Sequence, residues 1–362
     1  MSEIELSTKI YLIDDPDELT DTDLEAIGIA GKIIREGGLA AFPTETVYGL
    51  GASAYDPSAA QAVFVAKGRP SDNPLIVHVA DPAEAEAFAE VSDTYRDIAE
   101  KFMPGAVTVI LPKKNCIPSE VTGGLHTVAV RCPSHPVARQ LIRMAGVPVA
   151  APSANLSGKP SPTSADHVVR DLTGRVDMIL GGGDCVFGLE STVLTVKGER
   201  AVHILRPGGV TKEMLEEAGY TVTVDAAVTD LGAVGAKPLS PGMKYKHYAP
   251  MAEVILLDMT DSPKSFAEVV NILEGKCEGN CAVMCPAGDE EGLLDCAAVF
   301  TYSPAEENDS MAHLLFSCLR SADDKEVSRI YIPLPRTDGM GMAVYNRVIR
   351  AAGGRIVRPG DN

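Results

Sequence analysis

The sequence contains no tryptophan and few other aromatic residues, with 10 tyrosines and 8 phenylalanines among 362 residues. It also lacks long hydrophobic runs, because no apolar stretch reaches the ~18 residues that a membrane-spanning helix needs. The first residues have neither the basic nor the apolar region of a signal peptide. These absences argue against a membrane span and a secretory leader, and we expect a cytoplasmic protein.

Basic residues are also few: the sequence has 32 Lys and Arg residues and 50 Asp and Glu residues, which gives a net charge of −18. This balance argues against nonspecific binding to a polyanion. The charge is unevenly spread: residues 101–210 have a net charge of +5, whereas residues 251–310 have one of −11. A basic stretch in an acidic chain suggests a local anion site, although uneven surface solvation would give the same pattern.

The eight cysteines do not form a recognisable metal or disulfide pattern. Cys277, Cys281 and Cys285 recur at intervals of four, and zinc knuckles use a two-residue gap. A long chain without a leader favours reduced thiols. We therefore interpret these cysteines as structural thiols and predict no metal bound by protein side chains.

The pattern of apolar residues predicts two domains, at about 150 residues per domain. Strands and helices mix irregularly in the first, which is α/β or α+β, and alternate in the second, which is α/β. We place a first domain at 1–218, a linker at 219–250 and a smaller domain with a parallel sheet at 251–362. In the first part, strands are predicted at 39–42, 75–79, 107–111, 127–130, 149–151, 178–180, 192–196 and 202–205, and helices at 22–37, 57–66, 82–102, 135–145, 164–172 and 211–218. In the last part, strands at 254–257, 281–284, 297–301 and 330–332 alternate with helices at 262–274, 304–320 and 341–352.

The two common nucleotide-binding signatures are missing. Gly158-Lys159 is followed by Pro160, so it is not part of a P-loop, and no G-x-G-x-x-G follows a strand and opens a helix. A bound nucleotide must therefore be held by other groups.

Clusters of polar residues beside apolar runs supply such groups. Lys67 and Arg69 lie at a helix end, where an ammonium and a forked guanidinium suit phosphate. Arg131 ends a strand, where it could clamp a carboxylate or form a structural ion pair. Residues 151–163 combine hydroxyls with three prolines, a composition that suits phosphate oxygens but also a plain surface loop.

Several longer motifs resemble the YrdC family. They are Phe42-Pro-Thr-Glu-Thr-Val-Tyr-Gly-Leu-Gly51, Lys67-Gly-Arg-Pro-Ser-Asp-Asn-Pro-Leu-Ile-Val-His78, Ala150-Ala-Pro-Ser-Ala-Asn155, Glu190-Ser-Thr192 and Leu205-Arg-Pro-Gly208. The segment 240–250 is similar to the linker of the long, two-domain form, and 341–348 is similar to its end. The resemblance extends over nearly the whole chain.

The resemblance implies an enzyme that forms threonylcarbamoyl-AMP and pyrophosphate from L-threonine, bicarbonate and ATP with Mg²⁺. The product would pass to a transferase complex that modifies tRNA, and we expect no stable tRNA binding by this chain. The implied fold is an open twisted α/β sheet with a concave cavity, followed by a Rossmann-like domain. We expect the linker to close over the site.

The resemblance also implies roles for individual residues. The threonine site would comprise Thr46, His78, Arg131, Ser191 and the backbone near Ala151. The ATP site would comprise Lys67, Arg69, Asn73, Thr127, Ser153, Asn155, Ser161, Arg206 and Tyr245, with Lys67 and Arg69 catalytic through the charge that they bring to the phosphates.

Two alternative functions remain at this point. A carbamoyl-adenylate enzyme shares a YrdC-like domain, but it would also need acylphosphatase and zinc-finger regions. A nonenzymatic RNA-binding or regulatory protein would need only a concave basic surface, which the charge of −18 disfavours.

Overall fold

The structure is a computed structural model that describes residues 6–229, 250–260, 262–275, 280–293 and 296–359. The chain divides into two units, one of residues 1–157 with 161–244 and one of residues 245–362 with 158–160. Each unit is built around its own sheet. The predicted α/β class is confirmed for both units.

The first unit contains a mixed sheet of eleven strands and helices on its faces. Its strands are β1 Lys9–Leu12, β2 Ala40–Phe42, β3 Gly49–Ser53, β4 Ile76–His78, β5 Val107–Pro112, β6 Thr127–Arg131, β7 Val149–Ala151, β8 Met178–Gly181, β9 Thr192–Gly198, β10 Ala201–Arg206 and β11 Thr221–Val224. Its α-helices are α1 Asp21–Arg35, α2 Pro57–Lys67, α3 Asp93–Phe102, α4 Ser119–Thr122, α5 Pro136–Ala145, α6 Ala165–Leu172 and α7 Lys212–Glu217, and 3₁₀ turns lie at Pro82–Ala87 and Ala226–Val228.

The strand order is β1-β8-β2-β3-β7-β4-β6-β5-β9-β10-β11, so most neighbours in the sheet are distant in sequence. One sheet face bears a large apolar core. The other face is apolar only in part, where α1 and α5 cover it with side chains such as Ile27, Ile34 and Leu141. Val149 on β7 belongs to that second core. Polar residues begin on β4, the strand beside β7 in the sheet.

One predicted helix of the first unit differs from the structure, and β1, β3, α4 and β11 were not predicted. The predicted helix 82–102 is broken, because Ser92 accepts a hydrogen bond from the Tyr95 amide and starts α3 there. Strand β3 was not predicted, since Gly49 and Gly51 weaken a strand pattern. The space at Gly51 is too small for a side chain, because a Cβ there would lie 2.8 Å from Val149 Cγ1 and 2.9 Å from the Phe42 ring.

The second unit holds a five-stranded sheet in the order β14-β13-β15-β12-β16, in which every pairing is parallel. Its strands are β12 Glu253–Leu257, β13 Cys281–Pro286, β14 Ala298–Tyr302, β15 Arg329–Pro333 and β16 Ile356–Val357, and its α-helices are α8 Phe266–Glu274, α9 Glu307–Asp324 and α10 Gly341–Ala351, with 3₁₀ turns at Asp289–Gly292 and Pro304–Glu306. The predicted alternation of strand and helix is confirmed, and the two-residue β16 was not predicted.

The predicted linker begins too early. Strand β11 pairs in parallel with β10 from Ala201↔Thr221 to Ile204↔Val224, so residues 221–224 belong to the first sheet, beyond the predicted domain end at 218. Residues 230–249, which include Tyr245, lie outside the described residues. Among the described helices, none combines the length and the hydropathy needed to cross a bilayer.

Candidate active site

A row of paired residues crosses five strands of the first sheet, and the residues on four of these strands are polar. His78 on β4 pairs with Arg131 on β6, and Arg131 pairs with Thr108 on β5. Thr108 pairs with Val193 on β9, which pairs with Arg206 on β10. Residues that are directly opposite each other project to the same sheet face. His78, Arg131 and Thr108 therefore share the face of Val149, beside the edge of its apolar core.

Arg131 is held by the loop that follows β2. Its Nη2 atom donates to Glu45 Oε1 at 2.8 Å and to Thr44 Oγ1 at 3.4 Å, and both members of the ion pair are buried. The other Glu45 oxygen accepts from the Ser134 amide at 3.2 Å. Thr44 Oγ1 lies 2.9 Å from Thr46 Oγ1, so the two hydroxyls are in hydrogen-bonding contact. The loop thus carries one connected polar network.

The Arg131 guanidinium keeps unused donor capacity, because its buried Nε atom has no hydrogen-bond partner in the structure. Burial, and then the positive charge of Arg131, lower the pKa of His78 to about 3. The ring is therefore neutral near pH 7, and its Nδ1 atom donates to the Ile76 carbonyl at 3.1 Å. Phe42 meets the ring edge-on, with centroids 6.1 Å apart. A buried cation beside a neutral imidazole suits a carboxylate ligand.

Ser191 connects the predicted threonine site to the predicted nucleotide site. Its hydroxyl lies 2.8 Å from Thr108 Oγ1, and its carbonyl accepts from Arg206 Nε at 3.2 Å and Nη2 at 2.9 Å. The preceding residue, Glu190, accepts from Ser161 Oγ at 2.6 Å. All five side chains are buried. Arg131 and Arg206, predicted to bind different substrates, thus lie along one line of paired strands.

Lys67 lies at the end of α2, and its buried ammonium points at the loop after β7. It donates to the Ser153 carbonyl at 2.5 Å and to the Asn155 carbonyl and side-chain oxygen. The Ser153 hydroxyl also donates to Asn155 Oδ1. Gly68 ends the helix in the left-handed region, with φ of 61°. Lys67, Ser153 and Asn155 are therefore brought together, and the predicted contact of Lys67 with phosphates stays a prediction.

The remaining predicted residues are placed as follows. Arg69 is half-buried, and Asn73 is buried with its Oδ1 atom unpartnered. Ala151 is buried on β7, opposite Ile76. Thr127 lines a cleft of about 440 Å³ beside the ends of β5 and β9. Thr127 and Arg131 lie four residues apart on β6, so their Cα atoms are about 13 Å apart.

Sequence reasoning missed Glu45, Thr44 and Thr108. Glu45 lies within the motif of residues 42–51, but its position between two threonines did not indicate that it pairs with Arg131. Thr108 lies in an apolar strand with no motif. Only the strand order, with β5 next to β9, brings its hydroxyl to Ser191.

Comparison with known proteins matches both units. A Sua5–YciO–YrdC family model, described as telomere recombination, matches residues 32–208. A second model, described as threonylcarbamoyl-AMP synthase, C-terminal domain, matches residues 210–353. The chain is 42% identical over 355 residues to the threonylcarbamoyl-AMP synthase of Bacillus subtilis, covering 98% of this chain and 100% of that protein. The chain belongs to the Sua5/YrdC family.

Other Sua5/YrdC proteins agree with this assignment. The threonylcarbamoyl-AMP synthase of Pyrococcus abyssi is 43% identical over 334 residues, which cover 92% of this chain and 95% of that protein. The crystal structure of P. abyssi Sua5 complexed with L-threonine superposes with a TM-score of 0.87 at 39% identity, covering 96% of this chain and 99% of that one. The family predicted from the motifs is confirmed, in its two-domain form.

Proposed function

We propose that this Sua5/YrdC protein is a threonylcarbamoyl-AMP synthase. It converts L-threonine, bicarbonate and ATP into threonylcarbamoyl-AMP, pyrophosphate and water. The observation that carries the proposal is the contact between Ser191 and Arg206, because it makes a carboxylate-binding region and a phosphate-binding region adjoin. Its relatives carry this name at more than 40% identity over nearly the full chain. A reaction between an amino acid and a nucleotide needs this adjacency.

The threonine end of the site binds a zwitterion. Arg131 Nε, buried and without a partner, donates to the substrate carboxylate. Thr46 and Ser191 supply hydroxyls for the substrate's polar groups, and both are fully buried. The neutral His78 ring adds no second cation beside the substrate ammonium. The site thus suits a small amino acid better than an extended chain.

The nucleotide end binds ATP through cations and hydroxyls. Arg206 and Arg69 face developing charge on the phosphates, with Ser161 and Asn73 as hydrogen-bonding groups. Lys67 acts here by shaping the loop at Ser153. Within the described residues, no cluster of three or more His, Cys, Asp or Glu side chains is arranged to hold a metal ion. Mg²⁺ would enter bound to the triphosphate of ATP, as phosphate-bound Mg²⁺ usually does.

The substrates bound at the two ends of the site react in two steps. The threonine ammonium loses a proton, and bicarbonate takes up one proton to give CO₂ and water. The free amine then attacks CO₂ and gives an N-carboxylate and a proton. A carboxylate oxygen then attacks the α-phosphorus, and the bond to pyrophosphate breaks. The residues of this chain hold both reactants and stabilise charge on the phosphates. Burial of Ser191 and Arg131 keeps water from the labile carbamate.

The test is release of pyrophosphate from ATP by the full chain. We expect release only when L-threonine and bicarbonate are both present, and we expect R131K to raise the KM for threonine more than that for ATP. Release that does not need threonine, or no release at all, would overturn the proposal. An exposed charge variant, R96K, serves as the matched control, because Arg96 pairs with Glu86 at the surface.

The product is a reactive mixed anhydride, so a downstream enzyme must consume it quickly. We propose transfer to a complex that modifies tRNA in the cytoplasm. Stable tRNA binding by this chain is not expected at a net charge of −18.

A further inference from the structure

Glu45 forms a buried ion pair with Arg131, yet nothing in the proposed reaction uses it. Its two oxygens are both committed, one to Arg131 Nη2 at 2.8 Å and one to the Ser134 amide at 3.2 Å. Its own carbonyl accepts from the Phe187 amide at 2.9 Å. The residue is 4% exposed, so both its side chain and its backbone are fixed.

A buried carboxylate is costly unless its partners satisfy it, and removing one partner leaves an uncompensated charge. Glu45 meets that condition through Arg131 and Ser134. By holding Nη2, it fixes the plane of the guanidinium and leaves Nε without a partner. The arrangement offers a ligand one oriented donor edge rather than a freely rotating cation.

Glu45 also sets the charge of the region. With the ion pair formed, Arg131 and Glu45 together carry no net charge, and His78 is neutral because burial and Arg131 depress its pKa. A ligand with a carboxylate and no ammonium would add an uncompensated negative charge to a buried region. A zwitterion would add none.

We propose that Glu45 is a positioning and specificity residue: it orients Arg131 and makes the site select zwitterionic α-amino acids over simple hydroxy-carboxylates. This inference rests on the proposed function, since it takes Arg131 as the carboxylate-binding group. It assigns no proton transfer to Glu45. Its effect is on ligand binding, before any chemical step.

The test compares E45Q with wild type in binding titrations of the full chain. The probes are L-threonine and 3-hydroxybutyrate, which keeps a carboxylate and a hydroxyl but has no ammonium. We expect E45Q to weaken threonine binding about tenfold or more, since the negative charge that pairs with Arg131 is lost. The preference for threonine over 3-hydroxybutyrate should fall, and ATP binding should stay within about twofold. E86Q, which breaks an exposed Arg–Glu pair, is the matched control.

The selectivity ratio separates this role from a purely structural one. A variant that is only less stable would bind both ligands more weakly by the same factor, and that result would overturn the inference, as would unchanged threonine binding. If E45Q is poorly folded, E45D can be titrated with the same two ligands. Because E45D keeps the negative charge, it should keep the preference for threonine over 3-hydroxybutyrate. Failure of wild type itself to bind threonine would instead overturn the proposed function.

Discussion

Arg206 forms three hydrogen-bond contacts with Ser191. Its Nε and Nη2 atoms donate to the Ser191 carbonyl at 3.2 and 2.9 Å, and Nη2 also lies 3.3 Å from the Ser191 hydroxyl. One residue is predicted to contact ATP and the other threonine. The binding of the two substrates should therefore be coupled through this contact.

The variant R206K keeps the charge but loses the forked donor set that Ser191 accepts. We expect it to weaken L-threonine binding about tenfold, although Arg206 is predicted to contact ATP. The variant S191A should weaken threonine binding too. Titrations should show that the double variant loses less than the product of the two single losses, because both substitutions remove the contact between Arg206 Nη2 and the Ser191 hydroxyl. Independent, multiplicative losses would show that the contact does not link the substrates.

The sequence was informative where local chemistry decides structure. Strand β7 was predicted at Val149–Ala151 and found there, because a short β-branched and apolar run has few alternatives. Helix α2 was predicted at 57–66 and spans Pro57–Lys67, since Asp56 caps it and Gly68 ends it.

The sequence was uninformative where distant strands meet. The line from His78 to Arg131 to Thr108 depends on β4, β6 and β5 being neighbours, an order that does not follow the chain. The pairing of Glu45 with Arg131 spans 86 residues, and no local pattern specifies it. Family motifs could therefore name Arg131 but could not supply its partner.

The depressed pKa of His78 predicts a pH dependence of stability. An unfolded histidine has a pKa near 6.5, whereas burial and Arg131 lower that of His78 to about 3. Below pH 6.5 the unfolded chain gains a proton that the folded chain does not, so stability is full above pH 6.5 and falls as the pH drops toward 3. Urea titrations should show wild type losing about 1 kcal/mol more than H78N between pH 7 and 5.5. H126N, at an exposed position, should behave as wild type, and an equal loss in H78N would contradict the assignment.

The contacts of Lys67 predict a loss of both stability and nucleotide binding in K67M. Methionine fills the space of the side-chain stem but leaves the carbonyls of Ser153 and Asn155 without the ammonium. We expect a destabilisation of about 2 kcal/mol, faster amide exchange in a peptide spanning 152–158, and weaker ATP binding. The exposed Lys32 offers the control K32M. Wild-type exchange rates in K67M would rule out the loop-holding role.

The close packing around Gly208 allows a test of whether the position of Ser191 controls threonine binding. A Cβ at this position would lie 2.3 Å from the Glu190 carbonyl oxygen and 2.5 Å from the Ser191 carbonyl carbon, and backbone atoms cannot move aside as side chains do. We expect G208A to displace Ser191, to cost about 2 kcal/mol or more of stability, and to raise the KM for threonine.

The matched control for this substitution is G28A. Gly28 lies within α1, and a Cβ there would meet only the Met144 sulfur at 3.6 Å. Alanine is the better helix former by up to about 1 kcal/mol, so G28A should be neutral or stabilising, with an unchanged KM. Thermal unfolding and initial-rate measurements on the two variants distinguish the cases. If G208A keeps a wild-type KM for threonine, then the position of the Ser191 segment does not control substrate binding.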